Sequence, residues 1–276
     1  MRILFFCLII TCLEAGEFRV IDGRDFPKIG MFSAANQILG QISIYETGEI
    51  DGLRVDFGTF GNYYDPAHGL NWWNYYFEPI CLGSGSSLTY PAKSDYFQAF
   101  KRRRRLTRFQ ASELVKKHIH VREPILQEVD QFALNAFAHF YMIGVNYRGT
   151  DKKREAPRVS YETVFQTIVE HLPETGLWKI FVATDEHPFL EALQERFPGR
   201  VIACDAHRSE NEIGVHFSPV DPYRIGKEAL LDVLLLSRCH LLIRTSSNLS
   251  LWSTYFNPEL PTILLNERYK TAVEPE

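Results

Sequence analysis

Tyr141-Met142-Ile143-Gly144-Val145 is a short apolar run that breaks into the polar turn Asn146-Tyr147-Arg148-Gly149-Thr150-Asp151-Lys152. Length and flanks make the run a buried strand. The turn sets a forked guanidinium, a glycine open to close approach and a Thr-Asp-Lys group at its carboxyl end. The same alternation continues downstream. Segment 160–171 aligns Val164, Phe165, Ile168 and Leu172 on one helical face with Ser160 as N-cap. A strand follows at 179–183, a helix at 188–197 closed by Pro198-Gly199, and a strand at 201–204. A strongly apolar-striped helix at 225–238, a strand at 241–243, a helix at 249–255 and a strand at 262–265 complete the series. Such alternation predicts an α/β fold with a doubly wound parallel sheet. Ligands of these sheets sit beyond the carboxyl ends of the strands, where residues 146–152, Thr184-Asp185 and residues 245–248 fall.

The upstream part is less regular. A helix is expected at 32–44, opened by Gly30, then a strand at 53–57 and helices at 94–105 and 123–139. Between them lies an aromatic stretch with Trp72, Trp73, Tyr75, Tyr76 and Phe77. Trp72 and Trp73 could stack on a sugar, although aromatic density of this kind more often forms core. A boundary near 138 gives an N-terminal half, 17–138, and a C-terminal half, 139–276.

Composition narrows the function classes. Thirty basic against thirty-four acidic residues, net −4, argue against a surface built for nucleic acid. The five cysteines show no CxxC spacing, and His68, His118, His120 and His216 show no ligand pattern, so no metal site is expected. Lys101 to Arg105 with Arg108 places six basic residues in eight. Most such runs are solvated helical faces; the sharper reading is an acceptor or membrane phosphate site. At the amino terminus, Arg2 precedes an apolar run from Ile3 to Leu13, followed by Glu14, Ala15 and Gly16. Its length fits a signal peptide, 1–16, and is too short to span a bilayer. Export is the expectation, with a buried first strand and a cytoplasmic location as the alternative.

The turn at 146–152 resembles the HxRxxD motif of the fucosyltransferase superfamily, which includes α-1,6-fucosyltransferases, nodulation fucosyltransferases and protein O-fucosyltransferases. Three further segments are similar to that family in the same order: residues 180–185 ending in Thr184-Asp185, residues 229–237 with Asp232 inside an apolar helix, and residues 243–248 with Ser246-Ser247. Gly30-Met31-Phe32-Ser33 is loosely similar to its glycine-rich turn into a first helix. The resemblance implies a GT-B-like protein of two Rossmann-like halves. It also implies metal-independent, inverting transfer of fucose from GDP-fucose to a glycan or protein hydroxyl. Arg148 would then bind the β-phosphate, Asp232 would accept from guanine, Ser246 and Ser247 would hold phosphate oxygens, and Thr184, Asp185 and Thr245 would line the donor pocket. Lys152 would sit near the reacting centre, and Glu155 is preferred as base with Asp151 competing. Two positions depart from the pattern: Asn146 stands where the family has His, and Gly149 where the α-1,6 subgroup has a second Arg. Asn146 keeps hydrogen-bonding capacity but cannot titrate. These departures leave open a non-catalytic nucleotide-sugar or glycan-binding relative. A GT-B transferase using another nucleotide sugar is a third reading.

Overall fold

A computed structural model of the chain describes residues 16–24, 29–149, 156–209 and 221–267. The apolar run expected to be a signal peptide, and Asp151, Lys152 and Glu155, lie outside the described residues. The N-terminal half runs β1 (Glu17–Ile21), α1 (Met31–Glu46), β2 (Gly52–Val55), α2 (Trp73–Tyr76), β3 (Cys81–Gly83), β4 (Ser87–Thr89), α3 (Lys93–Arg105), α4 (Arg108–His118) and α5 (Glu123–Ala136). Its sheet has the order β3-β2-β1-β4, with β1 parallel to both neighbours and β3 antiparallel on the edge.

Several of these elements escape the sequence pattern for physical reasons. β1 carries a buried arginine: the Arg19 guanidinium donates to Gln41 Oε1 at 3.0 Å and to Glu17 Oε1 at 2.5 Å, so no apolar run marks the strand. β3 and β4 are three residues each, too short for a period to register. α4 opens on a reciprocal capping box, with Thr107 accepting from the Gln110 amide and Gln110 from the Thr107 amide. That signature sits directly behind the basic run and is hidden by it.

The C-terminal half follows the expected alternation: β5 (Tyr141–Tyr147), α6 (Tyr161–Glu170), β6 (Trp178–Thr184), α7 (His187–Arg196), β7 (Val201–Ile202), α8 (Pro222–Ser237), β8 (Leu241–Arg244), α9 (Asn248–Phe256) and β9 (Thr262–Leu264). All five strands are parallel in the order β7-β6-β5-β8-β9. The chain reverses direction across the sheet between β5 and β8, which makes their carboxyl ends the topological switch point. Ser160 caps α6 by accepting from the Thr163 amide at 3.1 Å.

The two faces of this sheet have different partners. Ile143, Val145, Tyr147, Ile180 and Val182 pack under α6 and α7 as a separate core. Met142, Phe181, Ala183 and Leu242 face α8 and α9, and this apolar layer continues unbroken into the N-terminal half. Gly144 lets α8 close on the strand, since a β-carbon there would meet Cys239 Sγ at 3.0 Å and Leu236 at 3.1 Å. Trp72 and Trp73 belong to the core: both are buried, and they stack on Phe57 and Phe77 at 4.6 and 4.1 Å.

Specific polar contacts stitch the seam between the halves. The fully buried Trp252 of α9 donates its indole N–H to Asn36 Oδ1 of α1 at 3.0 Å. The Arg108 guanidinium donates to the carbonyls of Thr254, Asn257 and Leu260, satisfying the C-terminal end of α9. Tyr76 fits the notch left by Gly226 on α8, and its hydroxyl donates to the Tyr223 carbonyl at 3.0 Å. Truncating a buried tryptophan such as Trp252 costs about 3–5 kcal/mol, so the seam is a substantial part of the fold's stability.

Candidate functional site

The residues at the carboxyl ends of β5, β6 and β8 meet at the switch point. Asn146 is buried on β5; its Nδ2 donates to the Ala183 carbonyl at 3.0 Å, and its Oδ1 has no hydrogen-bond partner among the described residues. The Arg148 amide donates to Thr245 Oγ1 at 2.9 Å, and the Thr245 amide donates to the Asn146 carbonyl at 2.9 Å. β5 and β8 are thereby locked together one residue past their ladder. Arg148 Nε lies 3.5 Å from Asp185 Oδ2, and the Gly149 amide donates to Asp185 Oδ1 at 3.3 Å. One carboxylate therefore fixes both the guanidinium and the backbone behind it. Thr184 turns inward and accepts from the Glu186 amide at 3.2 Å.

Ser246 and Ser247 play different parts. Ser247 is the N-cap of α9, accepting from the Leu249 amide at 3.2 Å, whereas the Ser246 amide donates to Asn266 Oδ1 at 2.7 Å. The α9 N-terminus, with its partial positive charge, thus opens beside the Arg148 loop. Across from it stands the start of α1, where the Met31 amide donates to the buried Tyr63 hydroxyl at 2.9 Å. Burial pushes the Tyr63 phenol up; the Met31 amide and the charge of nearby Arg148 work against that shift. The Tyr63 hydroxyl thereby ties the glycine-opened turn into α1 within the electrostatic reach of Arg148.

Gly149 acquires a structural meaning. A β-carbon at this position would collide with the Glu186 carboxylate, which sits where a side chain would go. Glu186 is buried and accepts from the Tyr161 hydroxyl at 2.9 Å and from Arg158 Nη2 at 3.1 Å. Burial first, and the Glu186 hydrogen bond second, push the Tyr161 phenol up to about 12. Asp185 and Glu186, consecutive at the end of β6, thus hold positions 148–149 on one side and 158–161 on the other. Position 149 lacks a guanidinium, but Glu186 brings Arg158 alongside instead. Glu186 adjoins a motif legible in sequence; Arg158, Tyr161 and Tyr63 left no sequence signal, because only tertiary structure brings them here.

Asp232 stands apart from this group on α8, buried against the segment that follows β7. Burial raises its carboxyl to about 7, while the neighbouring Arg208 guanidinium and Cys204 thiol pull it down and Glu228 pushes it up. Asp232 Oδ1 and Arg208 Nε are both buried without a hydrogen-bond partner among the described residues. The adjacent buried acid, Glu228, is satisfied by Arg224 at 2.6 Å and by the His207 amide at 3.0 Å. Asp151, Lys152 and Glu155 belong to the stretch outside the described residues. Among the described residues, no three His, Cys, Asp or Glu side chains gather as a metal site.

No protein-family model matches the sequence, and no curated protein matches it. Solved structures do. The crystal structure of NodZ alpha-1,6-fucosyltransferase co-crystallized with GDP is 19% identical, with a TM-score of 0.61 over 90% of this chain and 94% of that one. The fucosyltransferase NodZ from Bradyrhizobium is 18% identical, with a TM-score of 0.59 over 90% and 96%. POFUT1 in complex with GDP-fucose is 13% identical, with a TM-score of 0.53 over 90% and 97%. The chain therefore has the GT-B architecture, two Rossmann-like halves with a doubly wound C-terminal sheet, that these fucosyltransferases share.

Proposed function

We propose that this chain is an inverting, metal-independent fucosyltransferase that moves fucose from GDP-fucose to a hydroxyl of a glycan or protein. The observation that carries the reading is a guanidinium oriented by a carboxylate, Arg148 on Asp185, at the switch point of a doubly wound sheet. In the reaction, the acceptor oxygen bonds to the fucose anomeric carbon as the bond from that carbon to the diphosphate breaks. Negative charge grows on the departing GDP, and Arg148 with the α9 N-terminus stabilises it. Thr184, Asp185 and Thr245 shape that end of the pocket. Asp232, an acceptor kept buried with an unpartnered oxygen, suits the N1–H and 2-amino donors of guanine. Asp185 and Glu186 are engaged by guanidinium groups, which favours Glu155 or Asp151 as the base that takes the acceptor proton. Lys152 is proposed to act near the reacting centre. Export through the apolar leader belongs to the same reading, and N-terminal sequencing of native protein checks it.

Calorimetric titration with GDP, on wild type and Arg148→Ala in parallel, tests the donor assignment. Micromolar binding abolished by the substitution supports it; wild type that ignores GDP removes it. A melting-temperature panel of GDP, UDP and CMP separates a transferase with another donor, since a bound nucleotide alone raises the midpoint. Asn146 supports a second reading, a nucleotide-sugar-binding relative without transfer, because its amide is committed to the Ala183 carbonyl and cannot carry a proton. GDP binding without donor hydrolysis or transfer across an acceptor panel would favour that reading.

A further inference from the structure

Apart from the half-buried Arg103, the basic run resolves into two sets of side chains. Arg102 pairs with Glu49, and Arg108 is spent on the carbonyl end of α9. Downstream, Lys116 pairs with Glu113 and Lys117 with Glu46. Lys101, Arg104 and Arg105 are different: all three are exposed, and none has a carboxylate partner among the described residues. On α3 they fall at i+4, i+7 and i+8 from Phe97, so the four share one helical face. Phe97 is 46% exposed with the Lys101 ammonium 4.5 Å over its ring, and Phe109, at the elbow into α4, is 52% exposed.

The opposite face of α3 fixes this stripe outward. Tyr96 and Ala99 are buried, and the Ala99 carbonyl lies so close to Gly40 of α1 that a β-carbon there would collide with it. Gln98 donates to Glu49 at 3.3 Å and secures the flank. A protein of net charge −4 thus concentrates unpaired cations and one exposed ring on the outer face of α3, with a second exposed ring at the start of α4.

We propose that this face of α3, with the α3–α4 elbow, docks the protein on the surface of an anionic lipid bilayer. Unpaired cations meet the headgroup charge while the two phenylalanines enter the boundary of the acyl region. Long basic side chains suit this, since their stems cover apolar surface while the heads stay with phosphate. A purely polyanionic partner would need the cations but would leave Phe97 and Phe109 without a role. No helix among the described residues is long and apolar enough to cross a membrane, so the contact is peripheral.

Co-sedimentation of the full chain with vesicles tests this, using phosphatidylcholine alone and phosphatidylcholine mixed with phosphatidylserine, at low and high salt. Wild type is expected on the anionic vesicles, with binding that falls as salt rises. The triple variant Lys101→Gln, Arg104→Gln, Arg105→Gln is expected to bind on the order of 100-fold more weakly, roughly fivefold per cation. Phe97→Ser with Phe109→Ser is expected to weaken binding while leaving its salt dependence intact. All these positions are exposed, and an unchanged melting temperature confirms intact folding. Wild type left in the supernatant, or a triple variant that binds as wild type does, overturns the proposal. So does equal loss of binding to a sulfated polysaccharide in the triple variant with no effect of the phenylalanine pair on vesicles, which assigns the stripe to polyanions.

Discussion

Two buried acidic regions at the carboxyl edge of the C-terminal sheet are handled in opposite ways. At the end of β6, Asp185 and Glu186 are surrounded by donors: Arg148, the Gly149 amide, Arg158 and Tyr161. On α8, Asp232 is buried as Glu186 is, but it keeps an oxygen without a partner among the described residues and a carboxyl raised to about 7. A buried acid with partners holds structure together, and removing it strands the cations it served. A buried acid without enough partners works against the fold unless a ligand supplies the missing donors.

The first prediction follows from that opposition. Replacing Asp232 by Asn should raise stability by up to about 4 kcal/mol at about pH 8, because the folded carboxyl titrates well above its unfolded counterpart. The sign is unusual for an acid. The folded state is penalised as the pH rises from the ordinary carboxylate value towards 7, so the gain should vanish below about pH 4. Calorimetric unfolding at both ends of that window measures it. A destabilised D232N would mean that Asp232 is a structural acid after all. Glu186→Ala should move the other way, losing about 3 kcal/mol by urea unfolding, since it removes the buried carboxylate that Arg158 and Tyr161 share. Equal signs for the two substitutions would erase the distinction.

Gly149 sharpens it further. Gly149→Ala forces the Glu186 carboxylate away from its donors and should cost about 2 kcal/mol. In a Glu186→Ala background most of that loss should disappear, because the clash has gone. Additive losses would show that the glycine is needed for something other than room. The smallest effect concerns ligand. If Asp232 reads guanine as a carboxylate, GDP affinity should fall ~tenfold between about pH 8 and pH 6, and the slope should flatten in D232N. UDP binding with the same slope would detach Asp232 from the base.

The contrast between halves also decides what a sequence can disclose. β5, β6 and β8 were legible because strands buried on both faces read as unbroken apolar runs between amphipathic helices. Arg148, Thr184, Asp185 and Thr245 were legible because strand ends locate them. In the N-terminal half, β1 hides behind a buried Arg19, β3 and β4 are too short to show a period, and α4 begins inside a run of charge. Gly149 shows a different limit. In sequence it reads as a missing guanidinium; in space it is the room that Glu186 occupies. Glu186, Arg158 and Tyr161 come together only through tertiary packing, and no local pattern records that.

Arg108 gives α9 an owner in each half. A fragment ending at residue 138 would hold a guanidinium stripped of its three carbonyls, and one starting at 139 would present the Trp252 indole and an uncapped helix end to water. Neither piece is a self-sufficient module, so the halves should fold and unfold as one body. Prying the halves apart would break these hydrogen bonds together with the apolar layer that runs through the seam.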